Sequence, residues 1–452
     1  MSDLTTRSAL DLGTAIATGR VDARDATEAF ISEIEAGDPD ARVFYVRTFD
    51  RARAEAAAAH DRTTRSMSRS PLDGVPLSWK DLFDSAGDEC RAGSAMLSGR
   101  VPARDAAVLQ RLATAGTICL GKTAMTELAF SGLGINPVLG TPANARDTAT
   151  ERAPGGSSSG AAVGLARNMC AAAIGTDTGG SVRIPAAWNG VVGFKPSHGT
   201  APLGGVVPLC PSLDTVGPLA RTVPDAATLY GLLTLRPAPL AGGSSLRGRH
   251  ILVPSDIVFD DCDPGVAEAV NAALGPLASA GATLRHESLP PLTHMNALTW
   301  GSGISLPAIE GWSIWKETIA AKGSMMYPPV RQRFEGGATP KAADAWALAR
   351  DRAALRAELT RALIGIDAIA MPAIPIDPPP ISDLVEGGPA YDRANRLALR
   401  NTTLGNQLDM CAVTLPCGTS AAGLPVGLML MAPAGRDASL LQLAGAVEAT
   451  LR

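Results

Sequence analysis

GGSSSGAAVGLARNMCAAAIGTDTGGSVRIP, Gly155 to Pro185, holds two glycine- and serine-rich turns separated by a run of small residues. The first turn is Gly155-Gly156-Ser157-Ser158-Ser159-Gly160 and the second is Thr178-Gly179-Gly180-Ser181. Between them, Ala161 to Ala166 suits a helix and Cys170 to Gly175 a short buried strand, so the stretch reads turn, helix, strand, turn. That order lets both serine turns meet at one place. Consecutive glycines free the backbone N–H groups of Thr178, Gly179, Gly180 and Ser181 to converge, and converging donors are what a developing oxyanion needs. A serine at that point is a candidate nucleophile. Glycine- and serine-rich loops are common as plain connections, and either turn alone would carry little weight.

Together, with Arg183-Ile184-Pro185 following, the two turns resemble the signature of the amidase signature family of serine hydrolases, GGSSGGSA followed by G-T-D-x-G-G-S-[IV]-R-x-P. Asp73-Gly74-Val75-Pro76-Leu77-Ser78-Trp79-Lys80-Asp81 resembles the family's G-[IV]-P-x-x-x-K-D segment. Ser159 departs from the pattern, standing where glycine is more usual, and leaves the key positions intact. The resemblance implies an α/β fold: a single large amidase-signature domain spanning 1–452, with a central mixed β-sheet covered by helices. Within it, N-terminal helices occupy 1–65, a catalytic core 72–222, a variable substrate-pocket region about 240–350, and the C-terminal part of the core 365–452.

The family's triad, carried over position by position, is Lys80, Ser157 in a cis peptide link, and Ser181. By resemblance Ser181 attacks, Ser157 relays the proton and Lys80 is the base, with Thr178, Gly179, Gly180 and Ser181 as the oxyanion hole. The product of attack is a seryl acyl-enzyme. Lysine acts as a base only when neutral, so Lys80 is expected to be enclosed, far below its reference pKa of about 10.4. Asp81 next door opposes this unless its carboxylate points away or is neutralised. Asp177, Gly156 and Ser158 are expected to support the two turns. Arg183 is either a structural anchor or a ligand for a substrate carboxylate.

Composition describes a sizeable enzyme: 452 residues, 46% hydrophobic, formal net charge −4. Lys and Arg at 40 against Asp and Glu at 44 leave no basic excess for nucleic acid. No apolar run is long enough to span a bilayer, and the N-terminus lacks a signal-peptide core, so a cytoplasmic protein is expected. The seven cysteines are scattered without a C-x-x-C pair, which signals neither disulfides nor zinc; no metal and no cofactor is expected.

Along the chain, Ala26, Ala29, Phe30 and Ile34 fall on one helical face opposite Arg24, Glu28 and Glu35. Asp105 is expected to cap a helix carrying Val108, Leu109 and Leu112, closed by Gly116 and followed by a strand from Thr117 to Leu120. His250 to Val253 and Thr283 to Arg285 read as strands around a helix that Asp263-Pro264 opens and Gly281 closes. Arg236 to Arg249 and Met371 to Pro389 are expected to be surface excursions. Gly423 to Leu428 resembles the family's GLPVGLQ strand.

Resemblance fades between about 240 and 350, where Trp300, Trp312, Trp315, Trp346 and Met325-Met326-Tyr327 gather. Such clusters are more often core, yet in the family this region shapes the acyl pocket; Trp312 and Met326 are the candidate pocket residues. Gly156 to Gly160 also matches the G-x-S-x-G elbow of α/β-hydrolases, but no apolar strand precedes it and His294 is the last histidine, so that match is rejected. The expected activity is cleavage of a small-molecule carboxamide to a carboxylate and ammonia or amine. A homodimer is a possible assembly. The alternative within the family is the glutamine-hydrolysing, amidase-like subunit of a tRNA-dependent amidotransferase.

Overall fold

The computed structural model describes residues 2–238 and 245–452. Eleven strands form one mixed sheet: β1 (Phe44–Arg47), β2 (Pro76–Lys80), β3 (Ile118–Thr123), β4 (Ala172–Thr176), β5 (Val192–Lys195), β6 (Val216–Ala220), β7 (His250–Pro254), β8 (Thr283–Glu287), β9 (Ala368–Pro372), β10 (Met410–Thr419) and β11 (Pro425–Pro433). They lie in the order β1-β3-β2-β4-β6-β5-β10-β11-β9-β7-β8. β2 runs parallel to both β3 and β4, and β7 runs parallel to β8 and β9; the other pairings are antiparallel. Among the described residues no helix is long and apolar enough to cross a membrane.

Both faces of the sheet are covered, as the alternation along its central strands shows. Met410 and Ala412 of β10, with Met429 and Met431 of β11, join one core. Cys411, Val413 and Leu415, with Leu428, Leu430 and Ala432, join the other, together with apolar side chains of the helices Val223–Thr234, Val266–Ser279 and Asp437–Leu451. A period of two carries consecutive residues to opposite faces, so a strand buried on both sides is apolar throughout.

The N-terminal helices include Ala9–Ala17, Ala23–Gly37 and Phe49–Thr64, the second capped by the Asp22 carboxylate, which accepts the Arg24 amide at 2.9 Å. Its Ala26, Ala29, Phe30 and Ile34 are buried. Asp105, by contrast, does not cap the helix Ala107–Thr114, whose cap residue is Ala106. The Asp105 carboxylate instead faces the Arg51 guanidinium at 2.9 Å and accepts the Ala86 amide at 2.7 Å, a charged partnership stronger than a cap. Met371 to Pro389 is no surface excursion over its first half. Ala373, Ile374 and Ile376 are buried, and the carbonyls of Ile376 and Pro379 accept from Trp188 Nε1 and the Ala153 amide. Of Arg236 to Arg249, residues 239–244 lie outside the described residues.

The helix Ser159–Ala166 sits against the sheet at a distance only its small residues allow. A Cβ built on Gly160 would stand 2.5 Å from both the Ala124 amide nitrogen and the Val43 carbonyl oxygen, backbone atoms that cannot step aside. Gly160→Val is expected to destabilise the fold by about 1–3 kcal/mol or more through overpacking, measured by urea unfolding.

Candidate active site

Parallel pairing sets the site. β2 ends on Lys80 and β4 on Thr176, side by side in the sheet with Trp79 opposite Ile174, so their carboxyl ends open to the same edge. Crevices at the carboxyl ends of parallel strands are where α/β sheets take their ligands. Lys80 is fully buried, its Nζ 2.7 Å from Ser157 Oγ and 2.8 Å from Thr176 Oγ1. Burial pulls its ammonium down to about 7, against the raising pull of the Asp214 and Asp177 carboxylates.

Asp81 does not oppose this, because it turns away. Its Oδ1 lies 3.2 Å from Lys122 Nζ and its Oδ2 accepts the Gly93 amide at 3.1 Å.

The peptide between Gly156 and Ser157 is cis. Gly156 donates to the Gly132 carbonyl at 2.7 Å, and the Ser157 carbonyl accepts the Thr126 amide at 3.1 Å. The Ser158 amide donates to the Ser181 carbonyl at 3.2 Å, so the two serine turns are joined backbone to backbone. Ser158 Oγ donates to the Thr176 carbonyl at 3.3 Å. Ser159 opens the following helix, with its hydroxyl buried and without a partner among the described residues.

The turn that bears Ser181 is held by one buried ion pair. The Asp177 carboxylate accepts Arg183 Nε at 3.0 Å and Nη2 at 2.9 Å, the Gly180 amide at 2.8 Å, the Val182 amide at 3.2 Å and Asn406 Nδ2 at 2.9 Å. Burial alone would raise this carboxyl, but the Arg183 guanidinium overrides it and holds the group down at about 2. Arg183 is itself fully buried and donates to Asn406 Oδ1 at 2.6 Å. Its donors are engaged by Asp177 and Asn406, the contacts expected of an anchor. Of the four amides expected to converge as oxyanion donors, that of Gly180 is committed to Asp177, whereas those of Thr178, Gly179 and Ser181 meet no acceptor among the described residues.

Other partners carry no motif in the sequence. Thr178 Oγ1 donates to Asp214 Oδ1 at 2.6 Å, and the Gly179 carbonyl accepts the hydroxyls of Thr402 and Thr403 at 2.8 and 3.0 Å. Thr402, Thr403 and Asn406 form a buried polar stripe on the helix Gly388–Gln407. Polar residues recurring at i, i+1 and i+4 on one side of a helix are the signal that could have found them. Thr176 lies within Gly155 to Pro185, as the hydroxyl ending its strand.

Thr178, Gly179 and Ser181 border a cavity of about 290 Å³. Phe130, Leu209, Trp300, Ile304, Leu306 and Leu399 supply apolar walls, and Ser131, Gln332, Arg333 and Gln407 polar ones. Neither Trp312 nor Met326 lines it. Met326 is buried in the core, and Trp312 packs its half-buried ring against that core, beside Gly337. Trp315 donates its Nε1 to the Pro208 carbonyl, and Trp346 is 77% exposed. Of the four tryptophans only Trp300 reaches the cavity wall.

The residue that composition did not disclose is Arg333. It is half-buried, with its guanidinium 4.6 Å from the centroid of the Phe130 ring. Its Nε is buried without a hydrogen-bond partner, and no carboxylate pairs with it among the described residues. Burial lowers its pKa from the ordinary guanidinium value, with only a weaker raising pull from Tyr391 and Asp392, but a guanidinium remains a cation.

Comparison with known proteins matches a family model described as Amidase to residues 25–441. The chain is 36% identical over 414 residues to 2-amino-5-chloromuconic acid deaminase of Comamonas testosteroni, covering 90% of this chain and 88% of that protein. It is 36% identical over 480 residues to a glutamyl-tRNA(Gln) amidotransferase subunit of Anaeromyxobacter sp. (strain K), covering 98% and 95%. A crystal structure of an amidase superimposes with a TM-score of 0.88 at 33% identity, covering 99% of this chain and all of that one.

Asp177→Asn keeps the side chain's shape and removes its charge, leaving the Arg183 guanidinium buried without a counterion. A loss of about 3–5 kcal/mol in unfolding free energy is expected, read from urea denaturation.

Proposed function

The chain belongs to the amidase family and is an amide C–N hydrolase, and from that premise we propose that it cleaves small carboxamides bearing an anionic group, through a seryl acyl-enzyme. The observation that carries the substrate class is Arg333, a cation without a carboxylate partner in the wall of the cavity that Ser181 borders. Leaving such a group unpaired in a part-dry pocket is costly, and a substrate carboxylate is the simplest group to satisfy it. The apolar walls fit the rest of a small acyl group. That one relative is named for deamination of an acid accords with this.

In this reading neutral Lys80 accepts the proton of Ser157 as Ser157 takes that of Ser181, and Ser181 Oγ bonds to the amide carbon. The carbonyl π pair moves to oxygen, facing the amides of Thr178, Gly179 and Ser181. Collapse breaks the C–N bond while the proton returns through Ser157 to the leaving nitrogen, releasing ammonia or an amine. Water then attacks the ester by the same relay, freeing the carboxylate and restoring Ser181. The relay needs no group beyond the three side chains.

The second reading, a glutamine-hydrolysing subunit working with partner proteins, has its own support in the similarity to the amidotransferase subunit over 98% of the chain. Glutamine also carries a carboxylate, so Arg333 does not separate the two; dependence on a partner does. Purified chain alone should release ammonia from small anionic amides. Release only from glutamine, and only once partner subunits are added, would favour the second reading.

The pH dependence follows from Lys80. A base whose pKa is lowered by burial is charged and idle below that pKa and competent above it, so kcat/KM should climb through an apparent pKa near 7. Lys80→Ala should lose nearly all activity, and Lys80→Arg should not restore it. A Lys80→Ala enzyme that keeps the rate and the same ascending limb places the base elsewhere. Arg333→Met should lower kcat/KM for an anionic amide about tenfold to a hundredfold relative to a neutral amide of similar size. An unchanged ratio rejects the anionic class.

A further inference from the structure

Glu127 is fully buried and has no cationic partner among the described residues. Its Oε1 accepts the Ser94 hydroxyl at 2.6 Å, and its Oε2 accepts the Tyr327 amide at 2.8 Å. Tyr327 is the N-cap of the helix Pro328–Glu335, which carries Gln332 and Arg333 into the cavity wall. An acceptor at that end satisfies a backbone donor and complements the helix dipole. The Tyr327 ring is held separately, its hydroxyl donating to the carbonyls of Leu384 and Val385.

On the other side, Glu127 begins a segment with an unusual backbone. Leu128 and Ala129 both take left-handed conformations, φ 46° and 60°, which cost non-glycine residues about 1 kcal/mol or more each. The bend delivers Ala129, Phe130 and Ser131 to the cavity wall, and the Phe130 ring then meets both the Arg333 guanidinium and, in a T-shaped contact with centroids 4.8 Å apart, the Phe334 ring. One residue earlier, the Thr126 amide donates to the Ser157 carbonyl. The segment thus touches the cis-linked serine at one end and the arginine's helix at the other.

We propose that Glu127 is a positioning residue for substrate selection: its carboxylate pins the start of the helix Pro328–Glu335 to the Phe130 loop and so places Arg333 over the cavity that Ser181 borders. This rests on the reading of Arg333 as the site for an anionic group. Glu127 touches no substrate. It fixes the distance between the cation and the nucleophile turn, a distance that decides which anionic amides put their carbonyl at Ser181. Its burial without a cation, which raises its carboxyl to about 7 despite both hydrogen bonds, marks a group kept for its two acceptor contacts.

The test uses the full-length enzyme with one anionic and one neutral amide of similar size. Glu127→Ala should raise KM for the anionic amide and lower its kcat/KM relative to the neutral one by about tenfold. Glu127→Gln, whose carbonyl still accepts the Tyr327 amide while its NH2 donates to Ser94, should restore most of that ratio. Glu127→Ala combined with Arg333→Met should cost no more selectivity than Arg333→Met alone, since both remove one device. If Glu127→Ala does not fold, Glu127→Asp, one methylene shorter, withdraws the oxygen from Tyr327 with less lost volume, and the same ratio is read on it. Equal loss for both amides, or additive selectivity losses in the double variant, overturns the proposal. When Arg333→Met changes the ratio and Glu127→Ala does not, this inference falls and the anionic substrate class stands. When Arg333→Met changes nothing, the substrate class falls and takes the positioning role with it.

Discussion

The ion pair between Asp177 and Arg183 is the constraint on which the site depends. Removing two opposite charges from water is costly, and a buried pair is tolerable only when its remaining donors and acceptors find partners. Here they do: Asp177 receives two backbone amides and Asn406 besides the guanidinium, and Arg183 also reaches Asn406. The backbone from Asp177 to Arg183 therefore has little freedom, and Ser181 is presented on a rigid loop. The same contacts commit the Gly180 amide, while Thr178, Gly179 and Ser181 border the cavity.

Electrostatics around Lys80 follow from the same economy of partners. Three aspartates stand near it in sequence or space, and any of them free and charged would favour the ammonium form. Asp81 is occupied by Lys122, and Asp177 by Arg183. Asp214, raised by its burial, receives Thr178 and the amides of Leu209 and Cys210. With its potential counterions engaged elsewhere, desolvation governs the lysine.

Much of this was legible in the residues because it is local. The two turns, the small helix between them and the strand ending at Thr176 are dictated by glycine, serine and alanine within a few positions of one another. The alternation of helix and strand gave the α/β class for the same reason. What stayed hidden is set by long-range pairing. Asp105 has the sequence of a cap, yet Arg51, 54 residues earlier, claims its carboxylate. Trp312 and Met326 carry the composition of a pocket, but Met326 is buried in the core and Trp312 packs against it, and the wall includes Trp300 and Arg333 instead. Nothing local distinguishes Arg333 from the other arginines; its buried Nε without an acceptor among the described residues and its place in the cavity wall are visible only in the folded chain.

The helix Gly388–Gln407 gives the chain an order in time as well as in space. Lys80, Ser157 and Ser181 all lie in the first 181 positions, yet the loop that bears Ser181 leans on Asn406, Thr402 and Thr403, near the end of the chain. The sheet is built likewise, with β5 completed only by β10. A ribosome that has delivered every residue of the Lys-Ser-Ser set has still not delivered the brace. Contacts of such sequence separation form late, because the intervening chain must first be closed. A chain cut between Ser181 and that helix keeps Lys80, Ser157 and Ser181 but lacks the residues that brace the Ser181 loop.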